Sequence, residues 1–366
     1  MPTRGPAILA TLGPTVIVLS AVAIAATLVA LVFRIIGAEG VPIFVASAVA
    51  LAALASMVGE GTDQLGHRFG SGATGVLQSA LGNLPELFIS IFALQAGLTV
   101  VVQTALIGSI LANALLVLGI AFLVGGLRHG EQHFASETPR MISVLILLAT
   151  AALAIPALAT APGAPDAGHA VELSVIASVV LLVVFVSSIP SSVRGGAGAS
   201  SPVPQLETVW PIGLAVGVLA AAGLGAALVS EWFVESLRPA MATLGLSQDF
   251  VGLVVVAIAG NAVENVVGVQ MAARNKPDLA VSLILNSALQ VALALTPALV
   301  LLSLLIGPSP MTLVVQPVLI GALALSALLS ALITVDGRST WVEGLALIGL
   351  YVIIAAAVWW GTPLTP

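Results

Sequence analysis

Residues 5–33, GPAILATLGPTVIVLSAVAIAATLVALVF, carry no charged side chain. A helix of about 20 apolar residues crosses the hydrocarbon core of a bilayer. This run is longer than that, and longer than the roughly 7–15-residue apolar core of a signal peptide. It reads as a first transmembrane helix that stays in the mature chain. Runs of the same kind follow to the end. Helices are expected near 9–36, 41–58, 72–97, 98–126, 138–160, 169–190, 209–232, 248–274, 277–306, 311–334 and 339–361, eleven in all. Backbone groups inside lipid must be bonded within their own segment, which selects helices. The 366 residues are 59% hydrophobic and 7% charged, against roughly a quarter charged in soluble domains, so the fold class is an all-α integral membrane protein. There is no Cys, which excludes disulfides and thiolate metal sites. No basic patch is present, which excludes nucleic acid as a partner.

The 10 Lys and Arg residues give the orientation. With eleven spans, Arg4, Arg68, Arg128, Arg140, Arg194, Arg274, Lys276 and Arg338 share one side, and only Arg34 and Arg238 lie on the other. Basic loops stay on the cytoplasmic side. The expectation is a cytoplasmic N-terminus and an outside C-terminus, in a prokaryotic cytoplasmic membrane.

An internal repeat organises the chain. LGNLPELFISIFALQAG (81–97) lies over AGNAVENVVGVQMAARN (259–275) at an offset of 260 − 82 = 178 residues. Gly82 meets Gly260, Asn83 meets Asn261, and Glu86 meets Glu264. The same gapless offset lays GSILANALL (108–116) on NSALQVALA (286–294), matching Ser109 with Ser287 and Leu111, Ala114 and Leu115 with Leu289, Ala292 and Leu293. Apolar matches are cheap in Ala/Leu-rich sequence, whereas the paired Gly-Asn-x-x-Glu blocks are not. Helices three and eight are five spans apart, an odd number, so the copies cross in opposite directions. This is an inverted-topology repeat, common in secondary transporters. The organisation expected is an N-terminal helix (1–36), a first five-helix repeat (37–193), a flexible cytoplasmic linker (194–208, RGGAGASSPVPQLET), and a second five-helix repeat (209–366).

The two blocks are the candidate site. A mid-membrane carboxylate costs roughly 2.5–3.5 kcal/mol on insertion scales. Glu86 and Glu264 carry that cost at matched positions, facing one another across the pseudo-two-fold. Gly82, Gly260 and Pro85 weaken the helices there and free backbone carbonyls toward a cavity. Asn83 and Asn261 add amide oxygens, and Ser109 and Ser287 add hydroxyls. The donor set is all oxygen, which hard cations such as Ca²⁺ take in sixes to eights. The plainer alternatives are hydrogen-bonded structural glutamates and serines that pack helices. Glu60 and Asp63 close the expected second helix, and Glu231 and Glu235 the seventh. They are candidate vestibule or proton-relay groups, or else interfacial charge. HGEQH (129–133) departs from the H-E-x-x-H zinc pattern, because Glu131 stands two positions after His129. With Arg128 and Arg140 it reads as a solvated cytoplasmic face.

GNLPEL, GNAVEN, GSILANALLVLG, the GGLRHGEQHF turn and the ending DGRSTWVEGLALIGLYVIIA resemble the calcium/proton antiporters, the CAX branch of the calcium/cation antiporter superfamily. The resemblance covers about residues 40–360. It implies eleven helices and an exchanger in which Glu86 and Glu264 bind the cation and the counter-protons alternately. It implies that Asn83, Asn261, Ser109 and Ser287 line the site and that Gln290 is a polar position of the second block. Two positions depart from the family. Asn265 stands where its second block has His, and NSA (286–288) where it has G-S-S. The acidic helix often found between helices six and seven is absent, Glu207 being the one acid in 194–208.

The expected function is secondary active exchange of Ca²⁺ for H⁺ by alternating access, with no cofactor. The alternative is a Na⁺ or K⁺/H⁺ antiporter on the same fold. An intramembrane enzyme is disfavoured, since the spans hold no H-E-x-x-H, no Cys nucleophile and no Ser-His arrangement. A channel is disfavoured by the inverted repeat and interrupted helices. The partners are then the lipid bilayer and the transported cations and protons, with a homo-oligomer admitted.

Overall fold

The computed structural model describes residues 5–69, 81–160, 164, 166, 168–198 and 210–360. They are almost entirely helical. The order is α1 (Gly5–Ile35), α2 (Val41–Phe69), α3 (Leu84–Gln95), α4 (Thr99–His129), β1 (Gln132–His133), α5 (Glu137–Ala159), α6 (Ala170–Gly198), α7 (Ile212–Leu244), α8 (Gln248–Gly260), α9 (Ala262–Ala273), α10 (Pro277–Ser303), α11 (Pro317–Thr334), β2 (Arg338–Ser339) and α12 (Trp341–Trp359). Among the described residues nine helices are long and apolar enough to cross a bilayer, and ten if the bent pair Gln248–Gly260 and Asn265–Ala273 is one span. Of the expected helix 72–97, residues 72–80 lie outside the described residues, and the rest contains α3.

Helix boundaries differ from expectation where an apolar run and a helix are different things. α2 continues past 58 to Phe69, and α7 past 232 to Leu244. Charge ends an apolar run, but Glu and Gln are good helix formers and do not stop the backbone. Glu60, Asp63, Glu231 and Glu235 therefore sit within helices and do not close them. α6 likewise runs through Gly198 into the expected linker, whose residues 199–208 lie outside the described residues. The opposite error occurs at 311. Pro308, Pro310 and Pro317 keep 311–316 out of a helix, although Met311 and Leu313 are buried. That strap is held by side chains: Met311 N donates to Ser303 Oγ (2.7 Å), Leu313 N to Ser174 Oγ (2.9 Å), and Gln103 Nε2 to Thr312 O (2.7 Å). The expected helix 248–274 is two helices, α8 and α9, meeting at Asn261 with a bend of 62°.

Contacts divide the chain into two compact units. The first is Met1–Phe92 with Val186–Leu244, and the second is Ala93–Phe185 with Gly245–Pro366. In the first, α2 packs along α1 and α7. Phe44 and Phe233 stack with centroids 5.1 Å apart. Arg34, in the last turn of α1, pairs with Glu235 and lies 5.7 Å over the Trp232 ring. Gln64 links the other end, donating to Glu60 Oε1 (3.1 Å) and accepting from Trp210 N (2.9 Å). α1 kinks where Gly13 (φ 76°) precedes Pro14.

In the second unit α4 is the most buried span and α8 packs against it backbone to backbone. Gly108 faces the Leu253 backbone, and Gly252 faces Thr104 and Val101 O. Gly119 and Gly344 bring α4 and α12 equally close. Small residues let membrane helices approach so that packing can hold them without a hydrophobic drive. α12 carries exposed Trp341 at one end and exposed Trp359 at the other, with exposed Trp360 just beyond it, as side chains anchored at both bilayer interfaces do. A two-stranded antiparallel ribbon pairs Gln132 with Ser339 and His133 with Arg338.

A Cβ on Gly108 would collide with the O, Cα and C atoms of Leu253, which cannot rotate away. Gly108→Ala is expected to destabilise the protein by about 1–3 kcal/mol. The measurement is thermal unfolding in detergent. Gly321→Ala, where a Cβ meets nothing within 4 Å among the described residues, is the control and is expected to be neutral or slightly stabilising.

Candidate functional site

Both Gly-Asn pairs break a helix. Gly82 and Asn83 form a turn before α3, and Asn261 (φ −104°, ψ 23°) separates α8 from α9. Each Asn carbonyl then accepts the first bond of the following helix, from Leu87 N at 2.9 Å and from Asn265 N at 3.1 Å. Glu86 and Glu264 are thereby the third residues of α3 and α9. The N-terminal turn of a helix carries partial positive charge and free N–H groups, which favour a carboxylate. The same break that opens the helix thus supports the charge beside it.

An Asn before a helix ordinarily turns its side-chain oxygen back onto the helix N–H groups. Asn261 makes no such bond. Its amide nitrogen donates to Ser109 Oγ (2.8 Å) and Ala257 O (2.9 Å), while its oxygen accepts from Asn113 Nδ2 (3.3 Å). Asn113 Nδ2 also donates to Ser287 Oγ (3.2 Å). Ser109, Asn113 and Asn261 are fully buried and Ser287 nearly so. Among the described residues Asn113 Oδ1 has no hydrogen-bond partner. Unpaired acceptors in such a place cost free energy unless water or a cation meets them.

Asn113 and Ser109 are one turn apart on α4. Asn113 lies in a π-helical turn, Ala112–Val117, where Leu118 N reaches back to Asn113 O. α10 has its own π turn at Val291–Leu295, just after Gln290, and the 178-residue offset carries 112–117 onto 290–295. α8 has a third at Val251–Val256. Such turns concentrate at functional sites because they re-aim side chains within a helix.

The second unit therefore brings together Ser109, Asn261 and Ser287. Asn83 and Glu86 belong to the first unit, where both are buried, Glu86 at 1% exposure. Glu264 is placed by its backbone, one turn beyond Asn261, and its side chain lies outside the described residues. Gln290 is partly buried at the end of the regular part of α10. Glu235 pairs with Arg34, and Glu60 accepts from Gln64. In HGEQH, Glu131 meets His133 (3.4 Å) and Arg338 (3.3 Å), while Gln132 is buried, so that stretch is not wholly a solvated face. Asn113, bonded to Asn261 and Ser287, is the residue of this candidate network that sequence reasoning missed. Its counterpart at the repeat offset is Val291, so repeat matching gave no signal.

The family model described as sodium/calcium exchanger protein matches residues 39–190 and 214–360. The chain belongs to this family. The "Ca(2+)/H(+) antiporter" of Aphanothece halophytica is 33% identical over 343 residues, covering 87% of this chain and 90% of that protein. The "Ca(2+)/H(+) antiporter ChaA" of Bacillus subtilis (strain 168) is 34% identical over 345 residues, covering 88% and 97%. The solved structure of native YfkE superposes with a TM-score of 0.80 at 32% identity, over 93% of this chain and 99% of that one. The sodium/calcium exchanger family thus spans both Gly-Asn-x-x-Glu blocks and the helices that follow them.

Asn113→Leu and Asn261→Leu each remove a bonded partner from the other. Their effects on unfolding free energy, measured by denaturation in detergent, are expected to be non-additive by at least about 0.5 kcal/mol. Additive values would mean that the two amides do not share a network.

Proposed function

We propose that the protein exchanges Ca²⁺ for protons across a prokaryotic cytoplasmic membrane by alternating access, as the names of its relatives describe for them. The observation that carries this reading is the pair of helix breaks, each setting a glutamate in the first turn of the next helix. Glu86 and Glu264 are the exchanging carboxylates. Asn83, Asn261, Ser109 and Ser287 supply neutral oxygens, and Asn113 adds its unpaired amide oxygen to them. In one state both carboxylates are ionised around a Ca²⁺, and in the other both are protonated. Each is near neutral, whereas an empty dianion is costly in a low-dielectric site. Only neutralised states switch readily between inward- and outward-facing forms, and that selection couples the two fluxes. Two carboxylates give two protons per Ca²⁺. With an inward proton gradient the net direction is Ca²⁺ extrusion.

The reading includes the organisation into an N-terminal helix (1–36) and two inverted repeats (37–193 and 209–366) joined by 194–208. It places the N-terminus in the cytoplasm and the C-terminus outside. It involves no cofactor, and the protein is a transporter and not an enzyme. Glu60, Asp63, Glu231 and Gln290 remain relay or vestibule candidates. Glu235 is the weakest of these because its carboxylate is matched by Arg34.

The test is collapse of a pH gradient in proteoliposomes on adding Ca²⁺, Na⁺ or K⁺ separately. The wild type is expected to respond to Ca²⁺, and Glu264→Gln and Glu86→Gln are expected to lose the response. A response to Na⁺ or K⁺ alone would reassign the ion and keep the fold. A pH gradient that persists with all three would overturn the exchange reading.

A further inference from the structure

The function proposed above leaves the HGEQH turn unused, and the structure places that turn on the far end of the helix bearing Glu264. α9 is only 12 residues long and is unhinged from α8 at Asn261. Its C-terminus closes on Asn275, the one non-glycine residue with positive φ (58°) among the described residues. Lys276 N bonds to Met271 O (2.9 Å) and Asn275 N to Ala272 O (3.1 Å), the paired bonds of a left-handed helix cap. Gln132, 2% exposed, reaches this cap from another element. Its Nε2 donates to both Ala272 O (3.1 Å) and Asn275 Oδ1 (2.9 Å). His129 Nε2 lies 2.9 Å from the next carbonyl, Ala273 O.

The turn is itself rigidly held. Gly130 (φ 76°) ends α4, and Gly125 makes room for the Gln132 amide, since a Cβ there would collide with Gln132 Oε1. β1 pairs with β2, Phe134 N donates to Gly337 O (2.8 Å), and Glu131 pairs with Arg338 (3.3 Å). Ala135 N donates to Asp278 Oδ1 (2.6 Å) in the first turn of α10, the helix of Ser287. α9 packs between α4 and α10, and a short helix with a bend at one end takes the rest of its tilt and rotation from the anchor at the other.

We propose that Gln132 is a positioning residue for cation binding. By fixing the C-terminal end of α9 it sets the placement of Glu264, in the first turn of the same helix. This rests on the reading of Glu264 as a cation ligand. Gln132 touches neither ion nor proton, and it acts through the two acceptors at the cap.

The test uses the full chain in proteoliposomes, measuring Ca²⁺-driven proton flux against Ca²⁺ concentration. Gln132→Met keeps the side chain's length and removes its donors. It is expected to raise KM for Ca²⁺ about ten-fold while kcat stays within about two-fold of wild type. Asn275→Gly keeps the left-handed cap and removes one acceptor of Gln132. It is expected to raise KM in the same direction by less, and it serves if Gln132→Met does not fold. A lowered unfolding temperature with KM unchanged in the variant that folds would overturn the proposal, because that is what a purely structural contact gives. Glu264→Gln runs alongside. If it abolishes flux while the Gln132 and Asn275 variants keep wild-type KM, only the positioning role falls. If Glu264→Gln transports normally, the reading of the site itself falls.

Discussion

A carboxylate in the interior of a bilayer must be neutralised, and on the reading of Glu86 and Glu264 as such groups the architecture around the two blocks follows from that. Helix breaks at Gly82–Asn83 and Gly260–Asn261 put Glu86 and Glu264 in first turns, where unbonded N–H groups and the helix dipole favour negative charge. An unbroken helix would offer neither. The break also has a liability, because it leaves backbone and amide groups without their helical partners in a place where water is scarce. The network of Asn113, Asn261, Ser109 and Ser287 answers it on one side by satisfying amide donors with hydroxyl and amide oxygens. What it leaves over is acceptor capacity, the kind of group a cation or a proton meets.

Holding four buried polar side chains in register requires helices that approach closely. The glycines at 108, 119, 252 and 344 serve that end in the second unit. Gly108 adjoins Ser109, so the residue that lets α8 approach and the residue that binds Asn261 are consecutive. Packing and site are the same contact seen from two sides. In water a loosely packed helix pair is still driven together by its apolar faces. In lipid that drive is missing, and the small residues carry the association.

The parts legible in the sequence were those where membrane chemistry is unforgiving. Charge is so scarce that Gly-Asn-x-x-Glu twice at one offset could not pass as background, and apolar length marked most spans. The rest failed for identifiable reasons. α2 and α7 outrun their apolar stretches because Glu60, Asp63, Glu231 and Glu235 are compatible with a helical backbone. Residues 311–316 look like a span because Met311 and Leu313 are core residues, yet their N–H groups bond to Ser303 and Ser174 and not to a helix of their own. Asn113 was invisible because the repeat comparison rewards matches and its counterpart is Val291. Gln132 was invisible because its partners are 140 and 143 residues away in a different element. π turns leave no trace in hydrophobic periodicity.

The mismatch of Asn113 with Val291 bears on how such a repeat works. Two identical inverted halves that exchange conformations would give inward- and outward-facing states of equal energy. Here the Asn113 amide bonds both Asn261 and Ser287, whereas Val291, its counterpart at the 178-residue offset, has only an isopropyl group to return. On the inverted-repeat reading, the state that keeps this network intact is not equivalent to its mirror. A transporter that works against a gradient needs no net bias in its cycle, since the proton gradient supplies the free energy. Ion affinity that differs between sides is not required for that coupling, and where it exists it is available only if the halves are unlike. On the same reading, symmetry accounts for the two glutamates, and departures from symmetry are where the two sides of the membrane can be told apart.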